Sequence, residues 1–151
     1  AKLGGEYRAA MGVLQSGQKT TQFSDTSDSP EEAKLLESAY ALADKIGQMP
    51  ALLIPLMPGR AEAKGVVDQA AMWGSIVQAV WSFMLALRSR GLGSCWATVT
   101  SRREKEIAAL LGIPFDEYTQ VGMFPVAYTI GTDFRKAWRK PVSEVLSYSR
   151  F

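Results

Sequence analysis

The chain has 151 residues, of which 47% are hydrophobic and 21% are charged, and its formal net charge at neutral pH is +2. This composition is typical of a globular domain and excludes a disordered tail, so we predict a single domain over residues 1–151. The near-neutral charge leaves little long-range attraction for nucleic acid.

Histidine is absent, and Cys95 is the single cysteine. The first fact excludes a Ser-His-Asp triad, a Cys-His pair and a histidine-ligated metal site. The second excludes an internal disulfide and suits a reducing cytosol. Acid–base chemistry is therefore limited to Asp, Glu, Lys, Tyr or Cys, or the reactive step belongs to a bound cofactor.

Neither a signal peptide nor a membrane span is predicted. The first residues, AKLGGEYRAAM, lack the apolar region of a signal peptide. The longest near-apolar run, 76–87, contains Gln78 and Ser82 and is shorter than the roughly 20 residues of a transmembrane helix. We therefore expect a soluble, cytoplasmic protein without a membrane partner.

The first third predicts a loop and then a helix. Residues 15–29, QSGQKTTQFSDTSDS, are polar and predict a loop. Ser29 suits the helix cap that follows, and Pro30 suits the first helical position. Apolar residues then recur at helical spacing as far as Ile46, and Gly47 ends the helix.

A short strand and a long helix come next. Residues 51–57 predict a strand in which Pro55 marks an edge or an end. A helix is predicted over 75–90, with a short helical lead-in from Asp68, and it is apolar on nearly every side. Such a helix must be buried all round, in a core or in a subunit interface. A homodimer through this helix is therefore predicted.

The last third combines a helix with a strand. Ser101 and Glu104 match a capping box, and Gly112 stops the helix that they begin. Apolar residues alternate over 121–130 and predict a strand, with a bulge where the phase slips at 124–125. Helices combined with strands that are distant in sequence predict the α+β class, a mostly antiparallel or mixed sheet packed with helices.

The basic tail has two interpretations. Four cations surround Trp138: Arg135, Lys136, Arg139 and Lys140. Such a cluster is most often a solvated surface, but it could bind nucleic acid, against which the small net charge argues. Pro141 is predicted to open a last helical turn.

The stretch RSRGLGSCW, 88–96, raises the question of why an apolar helix ends in two glycines. Gly91 as a helix C-cap of positive φ explains the stop by itself. A tight turn that brings the backbone against a ligand is the second interpretation.

Four stretches in order resemble the flavin-dependent nitroreductase family: GSIVQAVWSFMLALRSRGLGSCWATVT, EKEIAALLGIP, VGMFPVAYTIGTDF and WRKPVSEVL. They span about residues 70–146. In that family a buried dimer helix ends in a Gly-Leu-Gly turn, a Gly-Ile-Pro stop and a strand ending in Ile-Gly follow, and an Arg-Lys-Pro lies near the C-terminus. The resemblance implies a nitroreductase-like fold with a long dimer helix.

The resemblance also implies a cofactor site. In the family, the backbone after the glycine turn lies along the flavin, and its N–H groups meet the ring near N5. This position corresponds to Trp96, Ala97, Thr98 and Val99. Arg139 matches the family arginine at the FMN phosphate, whose charge suits a guanidinium, and Lys136 and Lys140 are lesser candidates.

The activity that the resemblance implies is FMN-dependent oxidoreduction. NAD(P)H would be the electron donor, and nitroaromatics, quinones or similar acceptors would be reduced in a ping-pong order. No catalytic side chain and no metal site are expected. Cys95 follows a helix C-terminus, where the dipole does not favour a thiolate, so a packed and inert thiol is expected.

The family's N-terminal third has no counterpart in this sequence. Neither its Arg-x-Ser-x-Arg segment nor its Ser-x-Asn loop is present. We expect an N-terminally truncated domain, with the missing part on a longer chain or another chain, or a reduced relative that no longer binds flavin. The alternative function is accordingly a non-catalytic flavin-binding or dimerisation module.

Overall fold

The computed structural model describes residues 2–15, 30–134, 136 and 139–149. Five α-helices, five strands and three 3₁₀ helices follow one another in this part of the chain. The helices are α1 Lys2–Gln15, α2 Pro30–Lys45, α3 Val66–Arg88, α4 Glu104–Leu111 and α5 Val142–Val145. The strands are β1 Ala51–Leu53, β2 Leu56–Pro58, β3 Leu92–Ser94, β4 Tyr118–Gln120 and β5 Phe124–Tyr128. The 3₁₀ helices are Ile46–Gln48, Ala61–Ala63 and Thr98–Arg103.

The strands form two small antiparallel sheets, which confirms the predicted α+β class. One sheet has the order β1-β5-β3, and the other pairs β2 with β4. Leu52 lies opposite Pro125 in the first sheet, and Met57 lies opposite Thr119 in the second. Because β5 pairs with a strand on each side, it brings the glycine turn after α3 beside the chain that follows α2.

Three local predictions about the strands and the third 3₁₀ helix are wrong. The strand predicted over 51–57 is divided at Pro55 into β1 and β2, which belong to different sheets. The strand predicted over 121–130 is shortened to β5, which pairs in regular register through 124–125 without the predicted bulge, and Gly122, with φ +125°, lies in the connection before it. The predicted capping box is absent, because Ser101 lies inside the 3₁₀ helix and Glu104 begins α4 without a side-chain cap.

Two glycine stops are confirmed, and one helix was missed. Gly91 and Gly112 have φ values of +71° and +70° and follow α3 and α4. Helix α1 was not predicted, although Tyr7 and Met11 stand at helical spacing. Gln15 is the last residue of α1, and the rest of the predicted 15–29 loop, including the Ser29 cap, lies outside the described residues.

The core lies between α1, α2, α4 and the chain around residues 97 and 123. Its buried residues are Tyr7, Met11, Ala43, Ile46, Ala97, Ile107 and Met123. An ion pair between Arg103 and Glu6, at 3.1 Å, also joins the third 3₁₀ helix to α1. Helix α1 therefore packs against the part of the chain that contains residues 96–99.

Helix α3 contributes little to this core. It has 23 residues, nine more at its start than the predicted 75–90 helix, but only Met72, Val80 and Leu87 are buried. Trp81 is 60% exposed and Leu85 is 54% exposed. The apolar run predicted from the sequence is too short to span a membrane, whereas α3 is long and apolar enough to do so. Core helices of soluble proteins also reach this length and hydropathy. The expected burial on all sides is not provided by this chain.

The buried Tyr7 makes the free energy of unfolding depend on pH in the alkaline range. Burial, and secondarily the nearby Cys95 thiolate, raise the pKa of Tyr7 from 10.0 to about 12. The unfolded chain thus loses this proton before the folded chain does, and the free energy of unfolding falls as pH rises from about 10 to 12. The loss approaches about 3 kcal/mol, at 1.36 kcal/mol per pKa unit.

The Tyr7→Phe variant should lack this part of the alkaline slope, because phenylalanine has no proton to lose. Urea unfolding followed by circular dichroism at pH 8, 10 and 11.5 measures the difference from the wild type. The difference in free energy of unfolding between the two proteins at pH 8 serves as the reference. A difference that stays constant up to pH 11.5 would contradict the raised pKa of Tyr7.

Candidate functional site

The glycine turn after α3 is shaped by contacts within the chain. The backbone N–H of Thr129 donates to the carbonyl of Gly91 at 3.0 Å, and its hydroxyl approaches the same oxygen at 3.2 Å. A Cβ on Gly93 would lie 2.8 Å from Cγ2 of Thr129. The first glycine therefore caps the helix, and the second admits the neighbouring strand. The helix-stop interpretation is thus confirmed at Gly91, whereas the approach of this backbone to a ligand stays a prediction.

Trp96 lies two residues after the end of β3 and is half-exposed, with 42% of its surface accessible. Its indole Nε1 donates to the carbonyl of Val121 at 2.9 Å. The indole stacks on Phe124, with ring centroids 5.7 Å apart and an interplanar angle of 21°. One edge of the ring is therefore fixed to the connection between β4 and β5, while part of the side chain remains accessible.

Ala97 is anchored more firmly than the sequence indicated. It is buried, its N–H donates to the carbonyl of Met123 at 2.9 Å, and it accepts the N–H of Met123 at 3.3 Å. The Thr100 hydroxyl also donates to the Ala97 carbonyl, at 2.7 Å. The Ala97 N–H therefore already has a partner within the chain, and the cofactor contact expected of Ala97 stays a prediction.

The residues beside Ala97 differ from it. The backbone N–H groups of Trp96 and Thr98 donate to no acceptor within the described part of the chain. Thr98 is exposed and begins the third 3₁₀ helix, whereas Val99 is half-buried against the core. The 96–98 segment thus presents two available donors on either side of a fixed residue.

A purely apolar crevice of about 40 Å³ borders Trp96. It lies between α3 and the β4–β5 connection and is lined by Val77, Val80, Trp81, Met84, Trp96, Val121 and Phe124. Pockets for drug-sized ligands have volumes of roughly 300–1,000 Å³, so this crevice cannot enclose a flavin. A larger cavity of about 270 Å³ lies elsewhere, between the start of α1 and Leu111, and contains none of the predicted cofactor residues.

One buried hydroxyl near the 96–98 segment has no partner. The Oγ atom of Ser94, at the end of β3, is inaccessible to solvent and makes no hydrogen bond within the described residues. Buried polar atoms are nearly always paired, because an unpaired one costs about 1–3 kcal/mol. The N–H groups of Trp96 and Thr98 form a donor pair that suits the edge of a heteroaromatic ligand, and the unpaired Ser94 hydroxyl lies two residues before Trp96 in the chain.

Three of the four tail cations, Lys136, Arg139 and Lys140, fall among the described residues. Arg139 is exposed in the 139–149 region and is not among the residues that line the crevice at Trp96. Lys136 and Lys140 are likewise exposed, and Arg135 and Trp138 lie outside the described residues. The phosphate-binding role of Arg139 therefore stays a prediction.

Cys95 differs in part from its prediction. The residue is exposed rather than packed. Desolvation nevertheless raises the pKa of its thiol, so the thiolate is disfavoured at neutral pH, as expected of an inert cysteine. In the described ranges, no group of three His, Cys, Asp or Glu side chains could hold a metal ion.

The residues of the β4–β5 connection that hold the 96–98 segment were not recognised from the sequence. The sequence predicts that Val121, Gly122 and Met123 belong to a continuous strand. They instead form the connection to which Trp96 and Ala97 are hydrogen-bonded. A glycine between two apolar strand residues was the available signal, since an isolated glycine in a strand pattern marks a break or a close approach.

Comparison with known proteins agrees with this arrangement. The nitroreductase family model matches residues 6–128, so the chain belongs to the nitroreductase family. A solved structure described as a BluB-like flavoprotein from Clostridium difficile 630 is similar in fold, with a TM-score of 0.55 and 15% sequence identity. The match covers 96% of this chain and 70% of that one. None of the curated proteins matches the chain.

Two sequence-based predictions are thereby confirmed: the family and the nitroreductase-like fold. Membership of the family supports a flavin-dependent oxidoreductase in general.

The close approach of Gly122 to Trp96 yields a test of the site geometry. A Cβ on Gly122 would lie 2.6 Å from the indole Nε1, and φ is +125°, a value that L-residues rarely adopt. We expect Gly122→Ala to lower the free energy of unfolding by about 3 kcal/mol or more, from backbone strain and overpacking together. Chemical denaturation measures this loss.

Gly112→Ala is the matched control, because Gly112 also has a positive φ but has no atom within 4 Å of the added Cβ. Its cost should be only the left-handed penalty of about 1–2 kcal/mol. In the Trp96→Ala background, Gly122→Ala should lose part of its cost, since the clash partner is gone. Equal costs for the two glycine variants would show that the indole is not held where the structure places it.

Proposed function

We propose that this protein is an FMN-dependent oxidoreductase that uses NAD(P)H to reduce nitroaromatics, quinones or similar acceptors in a ping-pong order. The observation that carries the proposal is the 96–98 segment, where two available N–H groups flank a residue fixed by hydrogen bonds. Family membership supplies the cofactor class. The segment supplies a place for it that needs no catalytic side chain.

The segment is suited to a flavin edge because its donors are held before any ligand arrives. Ala97 is tied to Met123 and Thr100, so the N–H groups of Trp96 and Thr98 cannot rotate freely. Prearranged donors stabilise charge more effectively than mobile ones, since no reorganisation is required during the reaction. When bound, the flavin supplies the hydride chemistry, and the protein supplies orientation and hydrogen bonds.

Arg139 is proposed as the phosphate ligand. Its guanidinium can form two parallel hydrogen bonds with a phosphate, which a lysine cannot do. Lys136 and Lys140 would add positive charge nearby without the same geometry.

The second part of the proposal is a homodimer that packs through α3. The exposed side chains of Trp81 and Leu85 stand one turn apart on this helix, so a second copy can cover both at once. The apolar crevice at Trp96 opens between α3 and the β4–β5 connection, which places any partner on α3 beside the 96–98 segment. A dimer would enlarge a crevice that one chain leaves too small, and it would keep α3 from water in a cytoplasmic protein.

The experiment that tests the cofactor compares FMN with riboflavin, which lacks the phosphate. The wild-type protein should bind FMN, and NADH or NADPH should bleach the flavin spectrum under anaerobic conditions. Arg139→Gln should weaken FMN binding by about 10- to 100-fold, the worth of a charge-assisted hydrogen bond, and should leave riboflavin binding unchanged. Fluorescence titration measures both affinities.

Arg8→Gln is the control, because Arg8 is an exposed cation whose partner is Asp44 on α2. It should alter neither affinity. Uptake of flavin without bleaching by either nicotinamide would favour the alternative, a non-catalytic flavin-binding module. A wild-type protein that binds neither FMN nor riboflavin would refute the cofactor proposal.

The dimer is tested by placing a charge on α3. Trp81→Glu and Leu85→Glu should convert a dimer into a monomer, because each introduces an unpaired carboxylate into an apolar contact. Sedimentation velocity measures the mass. Leu111→Glu, on α4 and 43% exposed, is the matched control and should remain dimeric. A wild-type protein that sediments as a monomer would contradict this part of the proposal.

A further inference from the structure

Arg60 forms the most extensively bonded ion pair of the described structure, and no sequence motif pointed to it. It lies two residues after the end of β2, and only 14% of its side chain is exposed. Its two terminal nitrogens donate to both carboxylate oxygens of Glu104, at 2.9 and 2.8 Å. It also donates to the backbone carbonyls of Phe115 and Tyr118, at 3.1 and 2.6 Å, and to Glu62 at 2.9 Å.

Glu104 connects this arginine to β4. The backbone N–H of Gln120 donates to the Glu104 carboxylate at 2.7 Å, and the Gln120 side-chain amide donates to the Glu104 backbone carbonyl at 2.8 Å. Thr119 adds a second connection, because its hydroxyl donates to Gly59 and accepts the N–H of Ala61. The turn around Arg60, the start of α4 and the end of β4 are thus fixed together.

These bonds close a ring that contains the 96–98 segment. From Gln120 the chain continues to Val121, whose carbonyl accepts the hydrogen bond of Trp96. From Trp96 the chain continues through the third 3₁₀ helix to Glu104, whose carboxylate returns to Gln120. The 96–98 segment is therefore held on one side by the hydrogen bond of Trp96 to Val121 and on the other by the bond between Glu104 and Gln120. Arg60 binds Glu104 at the point where this ring closes.

We propose that Arg60 is a positioning residue that fixes the 96–98 segment for flavin binding by clamping Glu104 against Gln120. This inference rests on the proposed function, since it assigns the purpose of the clamp to that site. Arg60 is expected to touch neither the flavin nor the substrate.

The chemistry of the clamp requires an arginine. Glu104, Glu62 and two backbone carbonyls lie in different directions around one planar group, and the Phe115 ring lies 4.0 Å from its centre. A guanidinium offers five N–H donors in a rigid fork and a flat face for stacking, whereas an ammonium offers a single point of charge. The hydrogen bond to Glu104 raises the pKa of Arg60 above its usual range, which agrees with a persistent ion pair.

A purely structural role is the competing explanation, because removing one member of a buried ion pair destabilises most folds. The two explanations differ in where the effect appears. A clamp of the 96–98 segment acts on that segment and on the β4–β5 connection. A general loss of stability acts on the whole chain.

The experiment uses the full chain with Arg60→Met, Arg60→Lys and Glu104→Gln, and Met72→Ala as a core variant that lowers stability elsewhere. Native-state amide hydrogen exchange without flavin should be at least 10-fold faster over 96–100 and 118–123 in Arg60→Met. Exchange in α2 should be unchanged. Arg60→Lys should resemble Arg60→Met, because it keeps the charge and loses the fork. Glu104→Gln should show a smaller change, because it keeps an acceptor for Gln120.

A second measurement separates this inference from the proposed function. At saturating FMN, the absorption spectrum of the bound flavin should shift in Arg60→Lys and stay at the wild-type position in Met72→Ala. Unchanged exchange over 96–100 in the folded Arg60 variants, or faster exchange spread evenly along the chain, would overturn the clamp. If the wild-type protein binds no flavin while the Arg60 variants still show the localised faster exchange, the proposed function is overturned and the clamp is retained.

Discussion

The antiparallel bridge between Ala97 and Met123 is the constraint on which the rest of the site depends. It joins the chain that leaves the glycine turn to the chain that enters β5. Because β5 is the central strand of the larger sheet, the bridge transmits the position of that sheet to the 96–98 segment. Gly122 makes the bridge possible, since any side chain there would occupy the place of the Trp96 indole.

Two ion pairs of the described chain differ in their burial. The pair between Arg8 and Asp44 is exposed on both sides, and pairs of this kind contribute little because water screens them. The pair between Arg60 and Glu104 is largely buried, and its remaining hydrogen-bonding groups are satisfied by backbone and side-chain partners. A buried pair is tolerated only with such satisfaction, and the same bonds that satisfy it hold separate elements in a fixed relation.

Helix α3 is left largely uncovered by the rest of this chain. Most of its apolar surface remains exposed, although the sequence has the composition of a buried helix. Large apolar surfaces in contact with water mark sites of association. The core is formed largely by α1, α2, α4 and the chain around Ala97, with little contribution from α3. Helix α3 instead presents an apolar surface beside the 96–98 segment.

The sequence by itself determined the features that depend on neighbouring residues. It placed the stops at Gly91 and Gly112, because positive φ values are a local property of glycine, and it identified the family from four short stretches in order. It failed where the outcome depended on distant parts of the chain. The division of the strand at Pro55 follows from pairing with two different partners, and the loss of the capping box follows from recruitment of Glu104 by Arg60.

Only the tertiary structure decided which N–H groups of the 96–98 segment stay available and which side chains hold it. Ala97 loses its free N–H to Met123, and Arg60 reaches Glu104 across 44 positions of sequence. Side-chain spacing and glycine placement are properties of the local backbone, so a sequence reports them directly. Hydrogen bonds between remote residues exist only after the core has brought their elements together, and no local pattern encodes them.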